Sequence, residues 1–461
     1  VLNLGCAVAD ITPALGLPLS GFIFRQNKPS TGVDTPLWVR ALALQSEGQT
    51  LLLLNYDLLG LCAALEQQIL DQLQSRLGLT KDQCVLVATH THSAPPTAPL
   101  QGEAGPDPDY GRLLEERTVE AAQSALNHLE PVTLYQATLP LSGLTYNRRA
   151  LLTDGRVSMA IQPDAPVVER GPLDDRLTVL LWRNTQGQNV AAALHFACHG
   201  VAVCTQAIGG DIPGELAQRV GHMLGTPCLF LPGAGGDINP TTVATGRTEL
   251  LAWIEQAMGM LATLLQQFQP VATASLHAAS TDLRLDYAPL PPRAQVEERI
   301  ANLERIAQGD VLSAEVQETV RSLGNIMNVK PGQPPDQAKA AYAAMALAQA
   351  GRRTLAVLDS GQTLPGLPLR LAVWRFGSIV LAFVAAEIFA ITGRRIQALQ
   401  PEINILPVAC ASPLLGYVPD RQALGQGGYE VDDAWRFYGQ PAPFAPDSEQ
   451  RIINSFKQML Q

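Results

Sequence analysis

The sequence predicts an α/β protein: a mixed sheet layered with helices, with a helical subdomain inserted late in the chain. Three observations predict it. Apolar, strand-like runs alternate with amphipathic helical segments through the first half. Hydrophobic residues make up 47% and charged residues 16% of the 461, enough for a large core. Residues 290–358, by contrast, are rich in Ala, Gln, Glu and Arg at helical spacing and show no strand signal.

Each element follows from its own pattern. TLLLLNYDLLG is a buried strand ending at Asp57, and ALEQQILDQLQSRLG is an amphipathic helix closed by Gly78. VLVATHTHSAPP is a strand stopped by Ser93, Ala94, Pro95 and Pro96. DYGRLLEERTVEAAQSALNHL follows as a helix with Tyr110, Leu113, Leu114, Ala121, Ala125 and Leu129 on one apolar side. LTVLLWRN and NVAAALHFACHG are paired strands joined at 185–188. IPGELAQRVGHML is a helix, and PCLFLPGAGGDINP is a strand running into a glycine-rich loop. LRLAVWRFGSIVLAFVAAE is a two-stranded hairpin whose second strand, Ile379 to Ala386, ends on Glu387.

Composition excludes several classes. The formal net charge is −10 and no basic run occurs, which argues against nucleic acid as a partner. The seven cysteines are scattered and none forms a CxxC, so neither a disulfide framework nor a zinc ribbon is expected. The apolar run from Phe376 to Ala386 is too short to span a bilayer, so no transmembrane segment is expected.

Seven histidines occur in the chain, and two of them, His90 and His92, stand one residue apart at a strand mouth. In an extended chain they share a face. Such a pair is equally compatible with a hydrogen-bonded polar corner, and it needs partners to become a metal site. His199 ends LHFACHG four residues after His195, so both would share a strand face; the plain alternative for His195 is a satisfied core histidine. Glu387 closes an apolar strand, where a carboxylate is paired, metal-bound or solvated, because burying it alone is costly. Two histidines, a carboxylate and an open position make the donor set of a catalytic zinc, which activates water near neutral pH and polarises a carbonyl. The loop GAGGDINP lacks the Lys-Ser/Thr of a phosphate loop, and no Gly-x-Ser-x-Gly elbow occurs.

Taken together, ATHTHSAPP, NRR at 147–149, FACHG, GGDINP, AAEIF and GYVPDRQALGQGGYE resemble the catalytic domain of the neutral/alkaline, non-lysosomal ceramidases. The likeness is collinear from VADITP to about Tyr429. It implies a single catalytic domain over 1–461, with 290–358 as a helical insertion or lid. It implies one Zn2+ held by His90, His199, Glu387 and Tyr417. It also implies His92 beside the attacking water, with Arg148 and Tyr429 at the scissile amide. The expected activity is zinc-dependent hydrolysis of an amide or ester, with an N-acyl lipid amine as substrate.

Two departures from the family pattern stand out. Its Gly-Asp-Val-Ser-Pro-Asn stretch reads Gly236-Asp237-Ile238-Asn239-Pro240-Thr241 here, so an amide replaces the serine and a covalent acyl-enzyme is not expected. Asn239 keeps the capacity to donate a hydrogen bond to a developing oxyanion. The family's following β-sandwich domain is expected to be absent, since the sequence ends 32 residues after Tyr429. Asp57, Asp211 and Asp237 are candidate partners that fix imidazole tautomers, with helix-cap or turn roles as the alternative. Two other readings remain: an amidohydrolase-type barrel acting on a small amide, into which His128 and His222 fit poorly, and a non-catalytic lipid-binding protein on a retired hydrolase fold.

Overall fold

The structure, a computed structural model, describes residues 1–159, 166–264, 267–272, 276–327, 329 and 335–461. Two sheets dominate. The larger has nine strands, with Cys228–Pro232 at one end of its main path and Cys84–Ala88 at the other. Between them run Asn189–Phe196, Arg176–Asn184, Glu130–Pro140, Asn3–Asp10, Trp38–Ser46 and Gln49–Tyr56. The smaller sheet orders Leu276–Leu285, Leu367–Phe376, Ile379–Val384 and Asn404–Val408. The larger sheet is mostly antiparallel, unlike the all-parallel strands of an amidohydrolase-type barrel, so the barrel alternative is not borne out.

Within these two sheets most described neighbours are antiparallel and three pairs are parallel. Gln49–Tyr56 pairs with Cys84–Ala88, Asn189–Phe196 with Cys228–Pro232, and Ile379–Val384 with Asn404–Val408. Each pair is joined by a crossover helix: Ala63–Leu77, Asp211–Leu224 and Ala390–Gln397 respectively. A parallel connection must return along the sheet, so such units leave their strand ends and loops on one side. All three deliver those ends to the same place.

The strands are buried on both faces, which is why they read as continuous apolar runs. Leu42, Leu44, Leu51, Leu53, Val85 and Val87 join one core with the smaller sheet, while Val39, Ala41, Ala43, Leu52, Leu54 and Leu86 pack under helices Ala63–Leu77 and Pro108–Asn127. Farther along, Val179, Leu181, Leu194 and Phe196 meet helices Asp211–Leu224 and Arg247–Leu261. The shared core holds Trp182 and Trp374, each 1% exposed, and Trp374 meets Phe383 edge-on at 5.3 Å. Burying each such side chain contributes about 1.5–3 kcal/mol.

The helical segment expected over 290–358 forms three helices, Arg293–Ala307, Gln317–Ile326 and Gln337–Ser360; its residues 328 and 330–334 lie outside the described residues. It is inserted between two paired strands, since Leu285 and Leu367 are cross-strand partners. Its inner face, including Leu303, Ile306, Leu323 and Leu347, packs with Ile23, Phe437 and Tyr429.

Candidate active site and metal centre

His90, His199 and Glu387 each follow a strand of one of the three parallel units: His90 the second strand of its unit, His199 and Glu387 the first strand of theirs. His90 and His92 lie beyond the strand, which stops at Ala88, so they do not share a strand face. His90 takes a left-handed turn at φ +67, and His92 is instead fixed by its backbone, whose N–H donates to Gly200 O at 2.9 Å. A Cβ on Gly200 would lie 2.7 Å from His90 O, so this approach requires glycine. The turn brings the rings together all the same, with centroids 5.2 Å apart.

His195 and His199 also part company. The strand ends at Phe196, and His195 stays in the core with Nε2 2.7 Å from Pro407 O, the satisfied histidine of the plain alternative. Past the strand end, His199 is turned toward His90, centroids 4.9 Å apart. The strand expected to reach Ala386 stops at Val384. Glu387 then opens a two-residue strand in register with Tyr417, and its N–H donates to Gly416 O at 2.9 Å. That small ladder sets Glu387 and Tyr417 side by side.

None of the three aspartates fixes a histidine. Asp57 accepts from Arg40 and Trp38 N, and Asp211 accepts from the N–H groups of Ala202, Val203 and Ile212. Asp237 accepts from Asn147 and Ala390 N. Backbone carbonyls take the role expected of them. Nδ1 of His90 lies 2.8 Å from Leu59 O, that of His199 2.7 Å from Gly235 O, and that of His92 3.0 Å from Gly21 O. A carbonyl only accepts, so each Nδ1 carries a proton, and a ring holding only that proton has a bare Nε2.

The Nε2 atoms converge. Nε2 of His90 and of His199 each lie 3.2 Å from Glu387 Oε2. His90, His92 and His199 offer ligand atoms all within 4.8 Å of one another. His92 Nε2 and Glu387 Oε2 are buried without a hydrogen-bond partner. Ligands bonded at ~2.1 Å to one tetrahedral ion lie roughly 3.4 Å apart, so the donor set fits a metal ion. Burial acts to raise the Glu387 carboxyl, but the His90 and His199 imidazoles outweigh it and hold that group well below the ordinary range. Burial, then the Arg148 charge, lowers His199 to about 4, and burial with its two neighbours lowers His92. Burial acts to lower His90, but the Cys410 and Glu387 groups outweigh it and raise it well above the ordinary value, so a metal bound there displaces a proton from His90.

The remaining expected residues line the same cavity. Tyr417 OH donates to His199 Nε2 at 3.2 Å and accepts from Arg148 Nη2 at 3.0 Å. Arg148 also donates to Asn239 Oδ1 at 3.2 Å, and the Asn239 side chain hydrogen-bonds Tyr146 as well, which leaves one hydrogen of its NH2 group to donate into the cavity. Tyr429 stacks edge-on against Tyr417, centroids 6.0 Å apart. These residues line one concave cavity. Phe22, Phe24, Val201, Val243, Ile326 and Phe437 supply its apolar wall.

Two residues escaped the sequence reading. Glu430 bridges Arg148 Nε at 2.8 Å and Arg149 Nη1 at 2.7 Å. Tyr438 OH donates to Glu387 Oε1. Adjacent arginines in a buried motif were a signal that a carboxylate partner exists; nothing in the sequence pointed to Tyr438.

Comparison with known proteins agrees with the resemblance read from the motifs. A family model described as neutral/alkaline non-lysosomal ceramidase, N-terminal, matches residues 2–220. Among solved structures, the neutral ceramidase from Pseudomonas aeruginosa is similar at 18% identity and a TM-score of 0.67, over 99% of this chain and 74% of that one. A ceramidase complexed with C2 gives 19% identity and a TM-score of 0.68 over the same shares. At these identities the likeness speaks to fold. The sequence matches no curated protein in the comparison made. Among the described residues no helix is long and apolar enough to cross a membrane.

Proposed function

From the premise that residues 2–220 carry the N-terminal part of the neutral/alkaline, non-lysosomal ceramidase family, we propose that this chain is a metal-dependent hydrolase of an N-acyl lipid amine. Water and the amide give a fatty acid and an amine. His90, His199 and Glu387 would hold zinc, with Tyr417 as the fourth ligand. Bound there, zinc would supply Lewis acidity toward water and the scissile carbonyl.

The protein's own groups account for the rest. The acyl chain lies along the apolar wall, where its burial contributes about 0.8 kcal/mol per CH2. Arg148 and Tyr429 orient the amide, and Arg148 is itself locked by Glu430 at 2.8 Å. Asn239, its Oδ1 engaged by Arg148, donates from Nδ2 to the oxygen as negative charge develops there. His92 accepts a proton from the attacking water at Nε2 and returns it to the departing nitrogen. The shielded wall keeps bulk water from competing with these hydrogen bonds.

The observation that carries this reading is the pair of imidazole Nε2 atoms that each lie 3.2 Å from one buried carboxylate oxygen. The test is incubation with N-acyl lipid amines of varied chain length, with fatty acid and amine quantified by mass spectrometry. Equimolar release that is lost in Arg148→Ala supports it; release by neither protein refutes it. One observation favours a second reading, a non-catalytic lipid carrier: the amide at Asn239 where the family has a hydroxyl. Lipid that co-purifies intact and stays uncleaved when zinc is supplied would select that reading.

A further inference from the structure

We propose that Glu103 is a positioning residue for His92, acting through the Ser20–Gly21 turn. The inference rests on reading this cavity as a hydrolytic site. Glu103 lies in the cavity wall and touches neither His92 nor the histidine and carboxylate donors. Its Oε1 accepts from Gly21 N at 2.7 Å, and its Oε2 accepts from the Ser20 hydroxyl. The carbonyl of that same Gly21 accepts from His92 Nδ1 at 3.0 Å. One peptide turn therefore separates the carboxylate from the imidazole it orders.

The turn is built closely around the ring. Gly21 has φ +95, and a Cβ there would lie 2.4 Å from His92 Nδ1, so only bare backbone can approach. Phe22 covers the ring, centroids 5.1 Å apart. Arg25 donates to Ser20 O at 3.1 Å and to His92 O, tying turn and histidine backbone together. The clamp is backed from outside, because Tyr342 of the inserted helix donates to Gly102 O at 2.7 Å.

The consequence is a fixed tautomer. With Nδ1–H held by Gly21 O, His92 presents a bare Nε2, buried and unpartnered, to His90 and His199. Without the carboxylate, Gly21 N and the Ser20 hydroxyl lose their shared acceptor and the carbonyl is free to turn away. The imidazole proton then moves to Nε2, where it blocks proton acceptance.

The test uses the full chain as wild type, Glu103→Ala and Glu103→Gln. Glutamine keeps an acceptor for Gly21 N and a polar group for Ser20. Long-range 1H–15N spectra of the metal-free protein report the His92 tautomer, assigned by its loss in His92→Gln. Wild type and Glu103→Gln are expected to show Nδ1–H, and Glu103→Ala a population shifted toward Nε2–H. In Glu103→Ala, kcat on an N-acyl lipid amine should fall about tenfold with KM changed less than about twofold. A wild-type His92 protonated on Nε2, or a Glu103→Ala spectrum unchanged from wild type, overturns the inference. The tautomer is read without substrate or metal, so an inactive wild type would refute the proposed function and leave this outcome separate.

Discussion

His199 Nε2 and Glu387 Oε2 face each other at 3.2 Å, and neither carries a hydrogen toward the other. Nδ1 of His199 is committed to Gly235 O at 2.7 Å, and Glu387 is held in the ionised form chiefly by His90, which is its counter-charge when no metal is bound. A lone pair against a buried carboxylate repels unless a cation lies between them. The fold maintains this contact with three parallel strand ends and one short ladder, which is a large structural investment for an unfavourable pair. A bound metal ion would resolve it.

Asn239 tests how the amide is cleaved. Replacing it with alanine should lower kcat by roughly 10²–10³, the effect of losing one oxyanion donor, and leave measurable turnover. Mass spectrometry of enzyme quenched during turnover should show no acyl adduct. An adduct on any side chain would contradict the account.

Glu430 is a matter of stability first. It is buried against two buried arginines, at 2.8 and 2.7 Å. Glu430→Ala leaves both guanidiniums without their carboxylate and should cost about 3–5 kcal/mol in denaturant unfolding. A change below about 1 kcal/mol would mean that the arginines find other partners or water.

His195 predicts a pH dependence. Burial lowers its pKa below the ordinary value of 6.5, so it is neutral when folded and protonates more readily when unfolded. Its stabilising contribution is therefore complete above about pH 6.5 and is lost as pH falls from there through the folded-state pKa. Denaturant unfolding between pH 8 and 5 should show this acid-side decline, and His195→Leu should show a shallower one. An unchanged slope in the variant would count against the assignment.

Ile326 probes the inserted helices as a lid. It is the residue of helix Gln317–Ile326 that lines the cavity. Ile326→Trp should reduce kcat/KM for long acyl chains more than for short ones, while metal content stays at the wild-type level. The insertion should also exchange amide hydrogens faster than the central strands. Equal effects on all chain lengths would place acyl selection elsewhere.

The elements themselves were legible because burial on both faces writes strands as continuous apolar runs, and because caps such as Gly78, at φ +71, mark helix ends. The three distant groups His90, His199 and Glu387 were legible through motif resemblance and through their positions just after apolar runs. Their exact means of convergence was not. The strands before His199 and Glu387 each end before the apolar run does, since apolarity reports burial and continues into the buried turns, and the strand before His90 ends with its apolar run at Ala88, short of the histidines. Tautomer partners were misplaced on Asp57, Asp211 and Asp237 because every residue carries a carbonyl, and no sequence pattern reveals which one will face a ring. Tyr438 and Glu103 were missed for a related reason: each acts through a long-range contact that no local spacing encodes.

The most direct measurement is calorimetric titration of metal-free protein with zinc, for wild type and for His199→Ala and Glu387→Ala. The account predicts one tight site per chain in the wild type, with proton release at neutral pH because Glu387 and Cys410 keep His90 protonated until the metal displaces that proton. It predicts loss of that site in both variants. A wild-type protein that takes up no zinc, or variants that bind it as tightly as wild type, would contradict the metal centre on which the proposed hydrolysis depends.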